Sequence, residues 1–469
     1  MIALTIDELT RIVGGRLASD ASHGQRLVAG SVQTDSRLVE HGSIFFAMPG
    51  EETDGHLFAH RAVESGAALV VAERELDIDG PVVIVADGVA ALAALARHVV
   101  AHVRRVGDLT VIGITGSNGK TTTKNMLKAI LSESGPTVAP IDSFNNHIGA
   151  PISMLRVDER TRYLVVEMGA SHAGEIAHLV GIARPDIAVV LKVGMAHVGE
   201  FGGLDRTQAA KSEMVTALPR DAVAVLNADD PRVASMAGIT LARVRWFGDA
   251  AVAHGSDGLR AEDVHSTRTG TRFTLVCGEG RAEISLRILG EHHVHNALAA
   301  LSVAHELGLD MDAAVTAIQA MPRAERWRME VLTAPSGATV INDAYNASPD
   351  SMAAALRTLR QVGSPQGRTI AMLGEMTELG QAAAKHHGDV GRLVTELDID
   401  ELIVVGEAAR DIFVAASRER AWKGRLVFTA TTERAFELLD SELRTADVLL
   451  VKSSKAANLR FVGDRLAHV

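Results

Sequence analysis

Short apolar runs alternate along this chain with longer stretches whose apolar residues recur at helical spacing. That is the alternation of strands and helices that builds layered α/β domains. In the N-terminal part, residues 43–47, 67–72 and 82–85 read as strands, and residues 88–103 as a helix with Leu92, Leu95 and Val99 on one face. Further runs at 109–115, 163–167, 187–192 and 223–226 alternate with helices and predict a parallel sheet. From about 243 to 289 the pattern changes. Residues 272–276 and 283–288 flank a Gly278-Glu279-Gly280 turn, which predicts an antiparallel hairpin appended to that sheet. The last part alternates again, with strands at 339–341, 369–373, 402–405, 426–428 and 448–451 and amphipathic helices between them. One helix opens at Ser348-Pro349, a capping residue followed by proline in the first turn.

These patterns predict three α/β domains, in keeping with a length of 469 residues. Residues 1–105 make a small N-terminal α/β domain that ends at the polar break 104–108. Residues 106–322 make a central domain with a P-loop parallel sheet and its antiparallel extension. Residues 323–469 make a C-terminal Rossmann-like α/β domain. Hydrophobic residues are 47% of the chain, enough for a core in each domain, and the 3% of aromatics suits layered Ala, Val and Leu packing better than an aromatic-rich sandwich. A net charge of −11 without a long basic run speaks against a nucleic-acid partner. The single cysteine, Cys277, excludes an internal disulfide framework, reads as a buried structural thiol, and suits a reducing, cytoplasmic compartment. Residues 1–7 lack the basic-then-apolar order of a signal peptide. The most apolar stretch, 81–103, is broken by Asp87, Arg97 and His98, so no membrane span is expected.

The chemistry concentrates where the first central strand meets its helix. Gly113-Ile114-Thr115-Gly116-Ser117-Asn118-Gly119-Lys120-Thr121-Thr122 joins that strand to a helix with Met126, Leu127, Ile130 and Leu131 on one face. Strand, glycine-rich turn, Lys-Thr and helix is the layout that cradles nucleotide phosphates. Backbone N–H groups, the helix N-terminus and Lys120 supply positive charge, and Thr121 can ligate Mg²⁺. The general P-loop has a glycine where this chain has Ile114, so a chance glycine turn capping a helix is the alternative. Open parallel sheets bind ligands at the carboxyl ends of their strands. Glu167, His197, Asn227 and Asp229 all fall there. Glu167 is either a Mg²⁺ ligand or a partnered buried charge. His197, in the glycine-rich segment 194–203, is either structural or on a loop that approaches a ligand. Lys211 alone reads as a solvated surface lysine, and 145–151 alone as a loop.

Together these residues resemble the Mur ligase family, the ATP-dependent amino-acid-adding enzymes of peptidoglycan synthesis. The family's P-loop, Thr-Gly-(Thr/Ser)-Asn-Gly-Lys-Thr-Thr, is reproduced at 115–122, which accounts for the off-register glycines. Further marks are residues 144–151, 167–170, 342–351 and 373–380, with Thr34-Asp35-Ser36-Arg37 and Asp54-Gly55-His56 near the N-terminus. They span essentially the whole chain and are most similar to the branch that joins D-alanyl-D-alanine to UDP-N-acetylmuramoyl-tripeptide through an acyl phosphate, with ADP and phosphate as products. A monomer is expected.

The resemblance also implies roles. Thr115, Gly116, Ser117, Asn118, Gly119, Lys120, Thr121 and Thr122 would bind ATP, with Asn296 on the adenine and Arg328 and Asp343 closing from the third domain. Two Mg²⁺ ions are implied, the first on Thr121 and Glu167, the second on His197. Lys211 matches a lysine that sibling ligases carbamylate, and with Lys120 and His197 completes the catalytic set. Ser36 and Arg37 match the uridine-nucleotide site. Asn145 and Asn146 would bind substrate, and Tyr345, Asn346 and the loop from Glu375 to Leu379 would line the dipeptide pocket. Three positions depart from the family pattern: His292-His293 for His-Asn, Trp327-Arg328 for Gly-Arg, and Lys452-Ser453-Ser454-Lys455 for Lys-Gly-Ser-Arg. Three substrates on three domains imply closure, with hinges expected near 105 and 323. The competing readings are a related amide ligase that adds another amino acid, and a nucleotide-binding regulatory or scaffold protein.

Overall fold

The computed structural model describes residues 1–50, 53–141, 143–195, 198–254, 258–322 and 325–469. Its N-terminal sheet has five strands in the order Arg16–Leu17, Val82–Ile84, Leu69–Ala72, Ile44–Ala47 and Val32–Gln33, parallel except for the first pair. The central sheet is six-stranded and parallel throughout: Arg243–Phe247, Val223–Asn227, Ile187–Val190, Thr110–Thr115, Tyr163–Glu167 and Thr137–Val138. The chain leaves Thr110–Thr115 first toward one edge and then toward the other. A topological switch point therefore opens beside the carboxyl end of that strand, where the P-loop begins.

The hairpin expected as an extension of this sheet is instead a separate three-stranded antiparallel sheet, Arg260–Thr267, Gly270–Cys277 and Gly280–Leu286. It meets the central sheet at the isolated parallel bridge between Phe247 and Leu259. Its first strand carries no apolar signal. Glu262, Asp263, His265 and Ser266 alternate between half-buried and exposed positions around a register shift between Glu262 and His265. Cys277, at the end of the second strand, is half-buried rather than buried.

The third sheet has six strands, in the order Glu330–Thr333, Thr339–Asn342, Val448–Lys452, Thr369–Leu373, Glu401–Val405 and Arg425–Thr429. Only the first pair is antiparallel. The helix Pro349–Val362 starts at Ser348, whose side chain accepts from the Ser351 amide, as the Ser-Pro pair predicts.

Packing ties the first two units together. The helix Gly88–Val106 buries Leu92, Leu95, Val99 and Val103 in one continuous core with Ile6 and Phe46 of the N-terminal unit and Val111, Leu164 and Leu179 of the central one. Period-two alternation sends Ile112 and Ile114 of the same central strand to the opposite core, against Met126, Phe273 and Leu298. The third sheet has its own two cores. Residue 105 lies in the last turn of the shared helix, so bending there would part a common core. The hinge expected at that point is therefore disfavoured. Among the described residues no helix is long and apolar enough to cross a membrane.

Candidate active site

One cleft of about 690 Å³ lies between the carboxyl ends of the central strands and those of the third sheet. The central unit lines it with Ser117 to Thr122, Asn145, Asn146, Glu167, Lys192, Lys211 and Asn296, and the third unit with Arg328, Asp343, Tyr345, Asn346 and Lys452.

The P-loop turns at Gly116 and Gly119, with φ +154 and +87. A Cβ at residue 119 would stand 2.3 Å from Asn296 Oδ1, so only glycine lets the loop lie against that side chain. Gly119→Ala is expected to raise the KM for ATP at least about tenfold, because it adds left-handed strain and displaces Asn296; steady-state kinetics checks it. Lys120 opens the helix Lys120–Ser132, and its Nζ donates to the Gly116 carbonyl at 2.7 Å. Burial lowers its pKa and the Glu167 carboxylate opposes that shift. Thr115 is fully buried beneath the loop at the end of the strand and does not line the cleft.

An all-oxygen corner adjoins the loop. Thr121 Oγ1 donates to Glu167 Oε2 at 3.1 Å and lies 3.0 Å from Ser143 Oγ. Asn145 Nδ2 donates to Glu167 Oε1 at 2.8 Å. Glu167 is buried, its two hydrogen-bond donors here are neutral groups, and its carboxylate oxygens are the hard ligands that a cation such as Mg²⁺ takes. Among the described residues no three His, Cys, Asp or Glu side chains stand close enough to hold a metal alone. Mg²⁺ beside phosphates usually keeps waters and phosphate oxygens in its shell, so the residues present fit that ion. His197 lies outside the described residues.

Lys211, on the helix Leu204–Thr216, is not on the surface. It is 2% exposed, its Nζ stands 6.0 Å from the centre of the Phe201 ring, and burial together with the Lys120 charge lowers its pKa to about 7. The helix is amphipathic by sequence, but its inner face looks into the cleft, which periodicity alone does not reveal.

From the third unit, Asp343 Oδ2 accepts from Lys452 Nζ at 2.6 Å and Asp343 Oδ1 from the Met329 amide at 3.0 Å. Lys452 also donates to the Asn346 carbonyl at 3.1 Å. Arg328 reaches across to Ser143 Oγ at 3.2 Å and lies over the Tyr345 ring at 4.6 Å. The residues flanking it are left-handed, Trp327 at φ +57 and Met329 at φ +49. Where the family pattern has glycine, Trp327 is held in that conformation by an indole N–H bond to Asp464 at 2.9 Å, with the Arg326 and Arg460 guanidinium groups over its ring. Such a conformation costs roughly 1–2 kcal/mol for a non-glycine residue, so these contacts must offset it. Lys455 lies 5.7 Å from the Tyr345 centroid and does not line the cleft.

His293 lies 3.1 Å through Nδ1 from Asn296 Nδ2, and the His292 ring lies tilted against it with centroids 4.1 Å apart. Burial lowers His292 to about 4 and His293 well below the usual imidazole range, so both rings are neutral at pH 7. Several anticipated residues stand elsewhere. Ser36 is buried in the turn Ser36–Leu38, Arg37 is exposed and paired with Asp35 at 2.6 Å, and neither lines the cleft. Glu375 is also outside it, with its carbonyl accepting from the Ser454 amide. Asn146 lines the rim while its Oδ1 accepts from the Ile148 and Gly149 amides ahead of the helix Gly149–Met154. Asn227 donates to the Leu191 carbonyl and Asp229 lies 3.0 Å from His295 Nε2, both outside the cleft. Ser143, Lys192 and Lys452 line the cleft without having been anticipated as site residues.

Comparison with known proteins places the chain in a family. The family models "Mur ligase family, catalytic domain", "Mur ligase middle domain" and "Mur ligase, glutamate ligase domain" match residues 30–106, 114–304 and 327–455. The UDP-N-acetylmuramoyl-tripeptide–D-alanyl-D-alanine ligase of Mycobacterium tuberculosis strain H37Rv is 42% identical, over 99% of this chain and 98% of its own. A crystal structure of MurF from Acinetobacter baumannii superposes with a TM-score of 0.88 at 30% identity, covering 100% of both chains. The MurF ligase of Thermotoga maritima in complex with ADP superposes with a TM-score of 0.80 at 27% identity, covering 94% of this chain and 97% of that one. With matches in all three units and near-complete coverage at such identity, this chain belongs to the Mur ligase family.

Proposed function

We infer that the chain is an ATP-dependent ligase that joins D-alanyl-D-alanine to UDP-N-acetylmuramoyl-tripeptide in peptidoglycan precursor synthesis. The observation that carries this reading is the convergence of Lys120, Thr121, Glu167 and Lys211 from the central unit with Arg328, Asp343 and Tyr345 from the third on one cleft. The full-length likeness to ligases of that name supplies the substrates. In this reading residues 1–105 hold the uridine nucleotide, with Ser36 and Arg37 contributing, 106–322 bind ATP, and 323–469 bring the dipeptide. The enzyme works in the cytoplasm as a monomer.

A carboxylate is a poor electrophile, so the reaction begins with its attack on the γ-phosphorus of ATP. The P–O bond to ADP breaks and an acyl phosphate forms. The dipeptide amine then attacks the acyl carbon, phosphate leaves, and an amide remains after loss of a proton. The protein's task is positioning and charge neutralisation. The P-loop amides and Lys120 donate to phosphate oxygens, and Asn296 orients the base. Arg328, held by its stack on Tyr345, adds a second fixed cation from the closing unit. When bound, Mg²⁺ supplies charge against the phosphates. Thr121 and Glu167 would hold one ion, and His197 with a carbamylated Lys211 a second. Asn145, bonded to Glu167, keeps that carboxylate oriented. Tyr345, Asn346 and Asn146 would bind on the dipeptide side, and the loop from Glu375, which lies outside the cleft, would have to approach for it to contribute.

Glu167→Gln keeps the shape of the corner but removes its charge and one of its two acceptor oxygens. It is expected to raise the Mg²⁺ concentration for half-maximal rate at least about tenfold, read by titrating the metal at saturating ATP. The choice of amine tests the substrate assignment. Phosphate release with UDP-N-acetylmuramoyl-tripeptide is expected with D-alanyl-D-alanine and not with meso-diaminopimelate or L-lysine; preference for either of the latter would assign the chain to another branch of the family.

A further inference from the structure

Asp350 stands in the first turn of the helix Pro349–Val362, on the third unit's side of the cleft. Its carboxylate does not cap its own helix, because Ser348 and Ser351 do that between them. Instead Asp350 Oδ2 accepts the Met195 amide of the central unit at 2.8 Å. Met195 follows Gly194, which is tied twice to the P-loop. The Gly194 amide donates to Ser117 Oγ at 2.8 Å, and the Ser117 hydroxyl donates to the Gly194 carbonyl at 3.1 Å. The Ser117 amide donates to the Lys192 carbonyl at 2.8 Å. The segment 192–195 is thus bonded to the phosphate loop on one side and to the third unit on the other. The approach is close: a Cβ at residue 194 would stand 2.4 Å from Asp350 Oδ2. Glycine is needed there for room, not for its backbone angles.

We propose that Asp350 is a positioning residue that registers the third unit against the P-loop, through the Met195 amide and the Gly194–Ser117 pair. Asp350 follows Tyr345 and Asn346 by a few residues, so shifting the start of its helix shifts that wall of the cleft. The P-loop keeps its own bonds to Gly194 when Asp350 is lost. The amine side of the site therefore feels the loss more than the nucleotide side. The bond links the central and third units across the cleft, so it favours the arrangement in which they meet. The kinetic part of this inference rests on the ligase reading; the contact itself does not.

The test combines kinetics with amide hydrogen exchange on the full chain. Asp350→Ala is expected to raise the KM for D-alanyl-D-alanine about tenfold, with the KM for ATP changed less than about twofold. Asp350→Asn, which keeps an acceptor oxygen, should recover most of the difference. Gly194→Ala breaks the same contact from the other side, so the double variant should be no worse than the poorer single one. Multiplying effects, or an Asn variant as impaired as the Ala one, would overturn the proposal. Exchange provides an arm independent of turnover. In Asp350→Ala the Met195 amide should exchange at least about tenfold faster while the Gly194 amide, bonded to Ser117, stays protected. Unchanged Met195 protection would overturn the proposal even with a fully active enzyme. A wild-type chain that releases no phosphate with D-alanyl-D-alanine would defeat the ligase reading and leave the exchange arm to decide the contact.

Discussion

Lys120→Ala is expected to lower kcat by about 10³-fold or more, a loss of roughly 4 kcal/mol of transition-state stabilisation. Lys120 is the first residue of the P-loop helix, and its ammonium lies among backbone groups of the loop, bonded to the Gly116 carbonyl at 2.7 Å. Burial already works against its charge, so the site holds a cation that is strongly drawn to an anion. In the transition state charge moves onto the leaving oxygen between the β- and γ-phosphates, and a fixed cation beside it stabilises that change. Arg328 does not replace it, since it enters from the third unit and is held over Tyr345 and against Ser143. Lys120→Arg should also be poor, because the planar fork does not fit a cradle shaped for a point charge. Single-turnover phosphate release in the variants, with folding checked by circular dichroism, is the measurement. A rate within tenfold of wild type would remove Lys120 from the chemistry.

Lys211→Ala has the second largest expected effect, about 10²-fold or more on kcat, with partial recovery on adding a short carboxylic acid. The buried amine has its pKa lowered to about 7, first by desolvation and then by the Lys120 charge. At pH 7.5 most of such a group is unprotonated, whereas an ordinary lysine is almost wholly ammonium. A free amine adds to carbon dioxide, forming an N–C bond and releasing one proton, and the product is a carboxylate where a cation stood. The sign of the pH dependence follows. The reactive amine is lost as pH falls through about 7, so activity should decline on the acid side and recover with added bicarbonate. An alanine variant that acetate or propionate does not rescue, together with a wild type indifferent to bicarbonate, would leave Lys211 uncarbamylated and count against this reading.

Much of the fold was legible because period-two runs and helical faces are written in the apolar residues. The strands Tyr163–Glu167 and Thr369–Leu373 fall at the residues expected. The strand Arg260–Thr267 was not legible, since one face is solvated and the other only half-covered, so no apolar alternation marks it. At the site, Lys120, Thr121 and Glu167 were readable from their place at strand ends. Lys211 was not readable as buried, because helical periodicity does not distinguish an inner face packed on core from one that looks into a cleft. Ser143 and Lys452 were missed for a related reason. Ser143 meets Thr121 across 22 residues of chain, and Lys452 joins the cleft wall through the packing of the third unit, neither of which local sequence records. Trp327 shows the converse: a departure from the family glycine is accommodated by a distant carboxylate, Asp464, and two guanidinium groups.

The most direct test of the account is phosphate release measured with UDP-N-acetylmuramoyl-tripeptide, ATP, Mg²⁺ and D-alanyl-D-alanine, omitting each component in turn. Sustained release is expected only with all four present, matched one to one by the UDP-N-acetylmuramoyl-pentapeptide formed. Release that proceeds equally without the tripeptide or the dipeptide, or no pentapeptide with all four, would contradict it.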